Sequence, residues 1–311
     1  MTKMHRTVDK QRRYCLELGN GLGWTLTATE RVRFWLEKFA SILELTACGP
    51  NGHPRLIFIP HKAEHSGNGE SAAILDSDRL KDLPQGGWTK QTLGALRFWS
   101  HPRVSDMICE TGQLDDNIDE IVSMWWAVYP IFRRVQESDG LPLHAALVGR
   151  NGVGVLLAAP GGTGKSTCCR RLPSPWHALC DDETVIARDH GNRYLAHPFP
   201  TWSESIQRGP GRKWNVQHCL PLSAVFFLEQ AETDEAVPIG KGETSALINR
   251  LAVEVSRIDW RNLPREEKIP IRKKLFHNAC ELAKSVPAFK LRVSLNGRFW
   301  QEMERVLSEI V

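Results

Sequence analysis

The amino-acid sequence predicts an α/β protein with two domains, and two observations support this. From Leu141 onward, apolar runs of strand length alternate with a glycine-rich turn and helical segments, as in α/β cores built on a sheet. Before residue 113, short strands and helices follow one another without that alternation. We therefore expect a smaller N-terminal α+β domain over residues 1–112, which could bind a substrate or partner, and an α/β core over residues 113–311.

The first 112 residues are predicted to mix strands with one long helix. Apolar residues such as Trp35, Phe39 and Ile42 recur at helical spacing, which predicts a helix near residues 30–45. Residues 61–90 are rich in Gly, Ser, Asp and Lys and should form a loop or mobile insertion. Strands are expected at residues 14–18, 56–60, 94–99 and 104–110.

A helix over residues 115–137 is predicted to open the second domain. Asp115 and Asp116 can cap its first turn, and Pro130 should kink or split it. Further along, apolar runs and helical spacing predict strands at 143–148, 153–159, 222–228 and 289–293, and helices at 243–256, 265–285 and 298–310.

The composition is that of an ordinary folded chain. Hydrophobic residues make up 41% of the 311 residues and charged residues 24%, close to the averages for soluble globular proteins. The 40 basic and 36 acidic residues form no dense basic block, so we expect no nucleic-acid partner. No apolar run approaches the ~20 residues that span a bilayer, and the cysteines show no C-x-x-C spacing. We therefore expect no membrane partner, reduced thiols and a cytoplasmic location.

The segment from Ala159 to Thr167 fits the phosphate-loop pattern G-x-x-x-x-G-K-[ST], with Ala159 at the position of the first glycine. Its small residues let consecutive backbone N–H groups turn toward a bound phosphate. A buried-strand run precedes the loop and a short helix follows, which is the order that this motif requires. The predicted nucleotide-binding residues are Gly161, Gly162, Thr163, Gly164, Lys165, Ser166 and Thr167, with Lys165 on the phosphates and Ser166 on Mg²⁺.

Asp181 and Asp182 are the predicted acidic pair of the site. They lie between two apolar runs, at 176–180 and 184–188. Two carboxylates beside a cation can divide metal binding and proton abstraction between them, and the sequence leaves open which residue does which. His144 lies in the run before the loop and could orient the pair or face the phosphates, although a histidine in such a run is more often a satisfied core residue.

A Gly- and Pro-rich segment through residue 211 is predicted to form a loop over the site. Within it, Glu204 is a candidate metal ligand together with Ser166 and Asp182. Arg208 and Arg212 are candidate phosphate clamps. Surface positions explain these three charges equally well.

Three segments of the core resemble HPr kinase/phosphorylase in order and spacing: residues 143–148, residues 152–157 with the glycine loop, and Cys180-Asp181-Asp182. That family resembles phosphoenolpyruvate carboxykinase, so the resemblance implies a P-loop core of this type. It also implies catalytic roles for His144, Lys165 and the acidic pair, with ATP and Mg²⁺ as cofactors, and suggests a homo-oligomer. One departure is that the family's E-x-R-G segment would place its glutamate at Ile206.

A narrower resemblance covers most of the chain. Residues 200–203, 214–217 and 226–230 look like the kinase-like protein of SynChlorMet cassettes, gene clusters with radical-SAM enzymes for peptide modification. The resemblance implies a kinase that phosphorylates a serine or threonine hydroxyl of a ribosomally made peptide or protein. Two alternatives stay open: a nucleotide-binding scaffold that presents a precursor peptide, and a carboxykinase that acts on a keto acid.

Overall fold

The computed structural model describes residues 12–61, 80–112, 114, 116–208, 211–260 and 263–310. The strands are β1 (Tyr14–Glu17), β2 (Gly23–Ala28), β3 (Thr46–Ala47), β4 (Arg55–Pro60), β5 (Thr89–Leu93), β6 (Leu96–His101), β7 (Val104–Thr111), β8 (Leu141–Arg150), β9 (Val153–Ala158), β10 (His177–Cys180), β11 (Glu183–Arg188), β12 (Tyr194–Phe199), β13 (Leu220–Gln230), β14 (Glu235–Pro238) and β15 (Ala288–Val293). The helices are α1 (Arg33–Ile42), α2 (Asn117–Trp126), α3 (Tyr129–Glu137), α4 (Lys165–Arg171), α5 (Trp202–Arg208), α6 (Lys241–Trp260), α7 (Arg265–Ser285) and α8 (Phe299–Ile310).

The first sheet has the order β3-β1-β2-β4-β7-β6-β5 among the described strands. Its centre, β2-β4-β7, is parallel, and the strands on both sides are antiparallel. Helix α1 packs against it through Trp35, whose ring lies 4.9 Å from that of Phe58. The predicted strands and helix of this region are confirmed with small shifts, whereas β2, β3 and β5 were not predicted. Residues 62–79 of the predicted insertion lie outside the described residues.

Cys15 and Cys48 form a disulfide next to the pairing of β1 with β3. Their Cα atoms are 5.9 Å apart, within the range that a disulfide spans. The expectation of reduced thiols is therefore wrong for this pair. The neighbouring antiparallel strand brings Cys48 to Cys15 across 33 positions of sequence, which spacing along the chain does not reveal.

The second sheet is mixed, and two of its strands each pair on more than one side. The first half of β8 pairs with β11, while its second half pairs with β9 and β10. Likewise, β13 pairs with β12 at its start and with β9 and β15 along the rest. The strands β9, β13 and β15 are parallel to one another. The α/β class is thus confirmed by two mixed sheets with helices packed on them.

Two predicted elements differ in the structure. The helix expected over 115–137 is divided into α2 and α3, because Pro130 cannot donate a backbone hydrogen bond and so sits in the first turn of α3. Asp116 caps α2 by accepting from the N–H groups of Ile118 and Asp119, and Asp115 lies outside the described residues. The loop expected through residue 211 is wrong in part, since Trp202–Arg208 is helical.

The largest hydrophobic core contains residues of both sheets. Phe39 of α1 stacks on Trp202 of α5, with ring centroids 6.4 Å apart. The N–H of Trp214 donates to the carbonyl of Ile42 at 2.8 Å. The division into domains at residue 112 stays a prediction. None of the described helices is both long and apolar enough to cross a membrane.

Candidate active site

The register of β8 explains how residues distant in sequence meet at one point. His144 pairs with Glu183 of β11, the residue that directly follows Asp182. The next residue, Ala145, pairs with Ala158 at the end of β9, where the glycine loop begins. His144 is therefore held between the acidic pair and the loop by backbone pairing on both sides.

His144, Lys165 and Asp182 form a hydrogen-bonded cluster. The His144 Nε2 atom lies 2.9 Å from Asp182 Oδ1 and 2.8 Å from Lys165 Nζ. The Lys165 ammonium also donates to the carbonyl of Ala159 at 2.8 Å. Lys165 is only 6% exposed, so its charge depends on these neighbours rather than on water.

Glu254 of α6 contacts the other nitrogen of His144, with Oε1 3.1 Å from Nδ1. The two atoms are close enough to form an ion pair when the ring is protonated. The two ring nitrogens of His144 therefore face two different carboxylates, Asp182 at Nε2 and Glu254 at Nδ1.

Burial and charge shift two pKa values in the cluster. Burial lowers the pKa of Lys165 below its ordinary value, although Asp182, Glu254 and Asp181 oppose the shift. Burial would raise the pKa of Asp182, but the hydrogen bond from His144 and the charges of His144 and Lys165 outweigh it, so the pKa is lowered. Asp182 is therefore ionised at neutral pH.

The glycine loop has the backbone that its sequence predicts. Gly162 and Gly164 have φ angles of +78° and +114°, which side-chain-bearing residues rarely adopt. A Cβ atom at either position would meet no atom within 4 Å, so the space beside the loop is open. Helix α4 begins at Lys165, and Gln230 at the end of β13 donates to the Thr163 carbonyl at 3.3 Å.

A cavity of about 420 Å³ lies on one side of the loop, and we call it the polar cavity. Asp181 faces it, held by Thr201, whose hydroxyl donates to Asp181 Oδ1 at 2.6 Å. The adjacent carboxylates thus have different surroundings, since Asp182 is bonded to His144 and Asp181 is open to the cavity. The cavity is lined by Ser166, Cys169, Arg170, Ala178, Asp181, Thr201, Ser203, Glu204, Gln207 and Arg212.

Of the three predicted metal ligands, the polar cavity contains Ser166 and Glu204. Asp181 lies there with them, whereas Asp182 is absent from the lining. Arg212 is 3.6 Å from Glu204, so the candidate clamp and the candidate ligand are ion-paired. Among the described residues, no group of three or more His, Cys, Asp or Glu side chains is arranged to hold a metal ion alone. The side chain of Arg208 lies outside the described residues.

Cys169 also lines the polar cavity, but burial raises the pKa of its thiol well above the ordinary value. A protonated thiol is a poor nucleophile. The oxygen groups of Ser166, Asp181 and Glu204 therefore carry the chemistry available in this cavity.

Comparison with known families gives one match. The family model described as SynChlorMet cassette protein ScmC matches residues 107–308, well over half of the chain. The chain belongs to this family. A search of curated proteins finds no match. The cassette association expected from the sequence is thereby supported, and the matched ScmC segment includes every predicted site residue from His144 to Glu204.

Two residues of this ScmC-family site were missed by the sequence analysis. Glu254 lies in a helical stretch with nothing nearby to mark it, and only the packing of α6 brings it to His144. Thr201 stood next to the predicted loop, and its bond to Asp181 follows from the turn after β12. A polar residue two positions after a buried strand was a usable signal for Thr201.

Proposed function

We propose that the chain is an ATP- and Mg²⁺-dependent kinase that transfers the γ-phosphoryl group to a serine or threonine hydroxyl of a peptide or protein. The observation that carries this proposal is the cluster of Lys165, His144 and Asp182 beside the glycine loop. It places a buried cation and an ionised carboxylate beside backbone that can turn its amides toward phosphates.

The groups present fit a bound nucleoside triphosphate and Mg²⁺. Lys165 is poised to exchange the Ala159 carbonyl for phosphate oxygens, because an anion satisfies the ammonium better than a neutral carbonyl. The oxygen atoms of Ser166, Asp181 and Glu204 are the ligand type that Mg²⁺ prefers. When bound, Mg²⁺ would neutralise charge on the phosphates.

The two carboxylates support a division of labour. Asp181 faces the polar cavity, where an acceptor hydroxyl can enter, and takes the proton of that hydroxyl or holds the metal. Asp182 stays ionised and keeps His144 and Lys165 in place. During transfer the acceptor oxygen bonds to the γ-phosphorus, the bond from that phosphorus to the β–γ bridging oxygen breaks, and its electron pair leaves with ADP.

The acceptor class rests on family membership and on the cavity. A cassette protein works beside other cassette products, and a precursor peptide is the natural shared substrate. The polar cavity, at about 420 Å³, has room for one side chain with its neighbouring backbone. Arg170 and Arg212 line it and suit an acceptor segment with acidic or carbonyl groups.

The test is incubation of the purified chain with γ-labelled ATP, Mg²⁺ and the peptide encoded in the same cassette. We expect label on the peptide. The double variant Asp181→Asn with Asp182→Asn should abolish transfer and retain nucleotide binding. Asp189→Asn, which changes a carboxylate that is paired with Arg193 and is not among the residues that line the polar cavity, is the control. Undiminished transfer by the double variant contradicts the proposal.

A second candidate is a nucleotide-binding scaffold that presents a precursor peptide to partner enzymes. It is favoured by the ion pair of Glu204 with Arg212 and by the position of Glu204 two residues before Ile206. An engaged carboxylate makes a weaker metal ligand. The same labelling assay separates the two, because the scaffold binds ATP and peptide without transferring label.

A further inference from the structure

A second cavity, of about 250 Å³, lies against the start of the glycine loop. Ala158, Ala159 and Pro160 form one of its sides, so it borders the chain where the loop leaves β9. It shares no lining residue with the polar cavity. We call it the α6 cavity, because one face of α6 forms the opposite wall.

The α6 cavity has an apolar interior. Phe227 of β13 and Leu247 and Leu251 of α6 line the cavity and pack in the same hydrophobic core. Leu228, the next lining residue, has its side chain in the core on the other face of the sheet. Phe227 and Leu251 are buried. At about 250 Å³ the cavity is smaller than the ~300–1,000 Å³ of pockets that enclose a whole ligand. It suits one flat ring rather than a complete nucleotide.

Charged groups surround the opening of the α6 cavity. Glu229 and Glu243 can accept hydrogen bonds, and Arg250 and Lys290 can donate them. Lys290 is 3.7 Å from Glu243. Arg250 forms no hydrogen bond or ion pair with any residue that the structure describes, so its guanidinium is available to a ligand. An apolar slot with donors and acceptors at its edge is the chemistry that recognises a heterocyclic base.

Helix α6 joins this cavity to the candidate active site. Glu243, Leu247, Arg250 and Leu251 line the cavity at spacings that put them on one helix face. Glu254, one turn after Arg250 on the same face, contacts His144. A ligand that spans from the α6 cavity to the loop would therefore lie along one rigid element.

We propose that the α6 cavity binds the base of the nucleoside triphosphate whose phosphates the loop holds. This inference rests on the proposed function, and it assigns opposite sides of the loop to the two substrates. The base and ribose take the α6 side, and the phosphoryl acceptor takes the polar cavity.

The test compares the binding of MgATP with that of magnesium tripolyphosphate, which has phosphates and no base. Calorimetric titration should show both ligands binding to the wild-type chain, with ATP tighter. Leu247→Trp fills the cavity and should weaken ATP about 10-fold, the scale of one lost apolar contact, while tripolyphosphate binding stays unchanged. Arg250→Ala, an exposed and fold-neutral change, should weaken ATP selectively by several-fold. Arg257→Ala, an exposed arginine on α6 outside the lining, is its matched control.

Three outcomes overturn the inference. Equal affinity of the wild-type chain for ATP and tripolyphosphate would remove the base contact altogether. Unchanged ATP affinity in both Leu247→Trp and Arg250→Ala would place the base elsewhere. A rise in peptide KM without a change in ATP affinity would give the cavity to the acceptor. Each of these leaves the kinase proposal standing, whereas a wild-type chain that binds neither ligand contradicts both.

Discussion

The two cavities on the two sides of the glycine loop differ in chemistry. The α6 cavity is lined by the start of the loop at Ala159, and the polar cavity is lined by its end at Ser166. The polar cavity contains Asp181, Glu204 and Ser166, while the α6 cavity is walled by leucine and phenylalanine side chains. Charged groups can stabilise a changing charge distribution, and apolar groups can only hold a surface away from water. The difference teaches that changes on the polar side should act on rate, and changes on the α6 side on nucleotide affinity.

The largest effect is expected for Asp181→Asn, which removes a carboxylate from the polar cavity. The turnover number should fall about 10³-fold, within the range found for loss of a general base or charge stabiliser. The affinity for ATP should change by less than about 3-fold, or ~0.7 kcal/mol. The reason is that the Asp181 carboxylate faces the polar cavity and takes part in the chemical step rather than in holding ATP. Steady-state kinetics with parallel calorimetry measure both quantities. A loss of ATP affinity as large as the loss of rate would contradict the idea that the polar cavity acts on rate and the α6 cavity on nucleotide affinity.

The next largest effect is expected for Lys165→Met, which removes the buried cation at the end of the glycine loop. The neutral side chain fits the buried position and cannot attract phosphate, so kcat/KM should fall about 10²-fold to 10³-fold. Binding of both ATP and tripolyphosphate should weaken together. The melting temperature should fall as well, because the Ala159 carbonyl, His144 and Asp182 lose the cation that pairs with them. Selective loss of ATP binding alone would contradict the role on phosphates.

A smaller effect is expected for His144→Gln, and it should appear in the pH dependence of the rate. His144 helps to lower the pKa of Asp182, so its removal raises that pKa. Because the ionised carboxylate is the active form, the acid limb of the rate profile should move to higher pH, so the rate should fall more at acidic pH than at neutral pH, where Asp182 stays ionised. A pH–rate series on both chains measures this shift. If the acid limb does not move, the rate does not depend on the ionisation of Asp182.

The smallest effect is expected for Thr201→Val, which removes the hydroxyl that donates to Asp181. A typical intramolecular hydrogen bond contributes ~0.5–1.5 kcal/mol, so the rate should fall about 10-fold at most, with ATP affinity unchanged. Thr201→Ser keeps the donor and should retain most of the rate. If the serine variant loses as much as the valine variant, the hydroxyl does not position Asp181.

The glycine loop and its flanking elements could be predicted because their signals are local. A buried run, a glycine turn and a Lys-Ser pair stand in one stretch, and the structure has β9, the loop and α4 there. Helices α6, α7 and α8 were also predicted, with ends that differ by at most four residues. The seven-residue helix α5 was missed, because Trp202 and Ser205 are buried by tertiary packing rather than by any regular spacing.

The contacts of the site could be predicted only in part. A link between His144 and the acidic pair was one alternative that the sequence left open, and the resemblance favoured it, while the contact itself depends on which residue of β8 faces Glu183. A shift of one residue would turn His144 to the other face of the sheet. Glu254 is 110 positions from His144 along the chain, and only the packing of α6 sets that distance. Assigning Asp181 rather than Asp182 to the polar cavity likewise needed coordinates.

The core that joins the two sheets has a practical consequence for anyone who wishes to work with the family segment alone. That segment begins at residue 107, yet Trp202 and Trp214, each about 2% exposed, are covered in part by residues that come earlier. An excised fragment would present two indole rings and an unpaired Trp214 amide to solvent, and we expect it to aggregate on expression. The family match thus begins at residue 107, whereas the unit that we expect to fold also includes earlier residues.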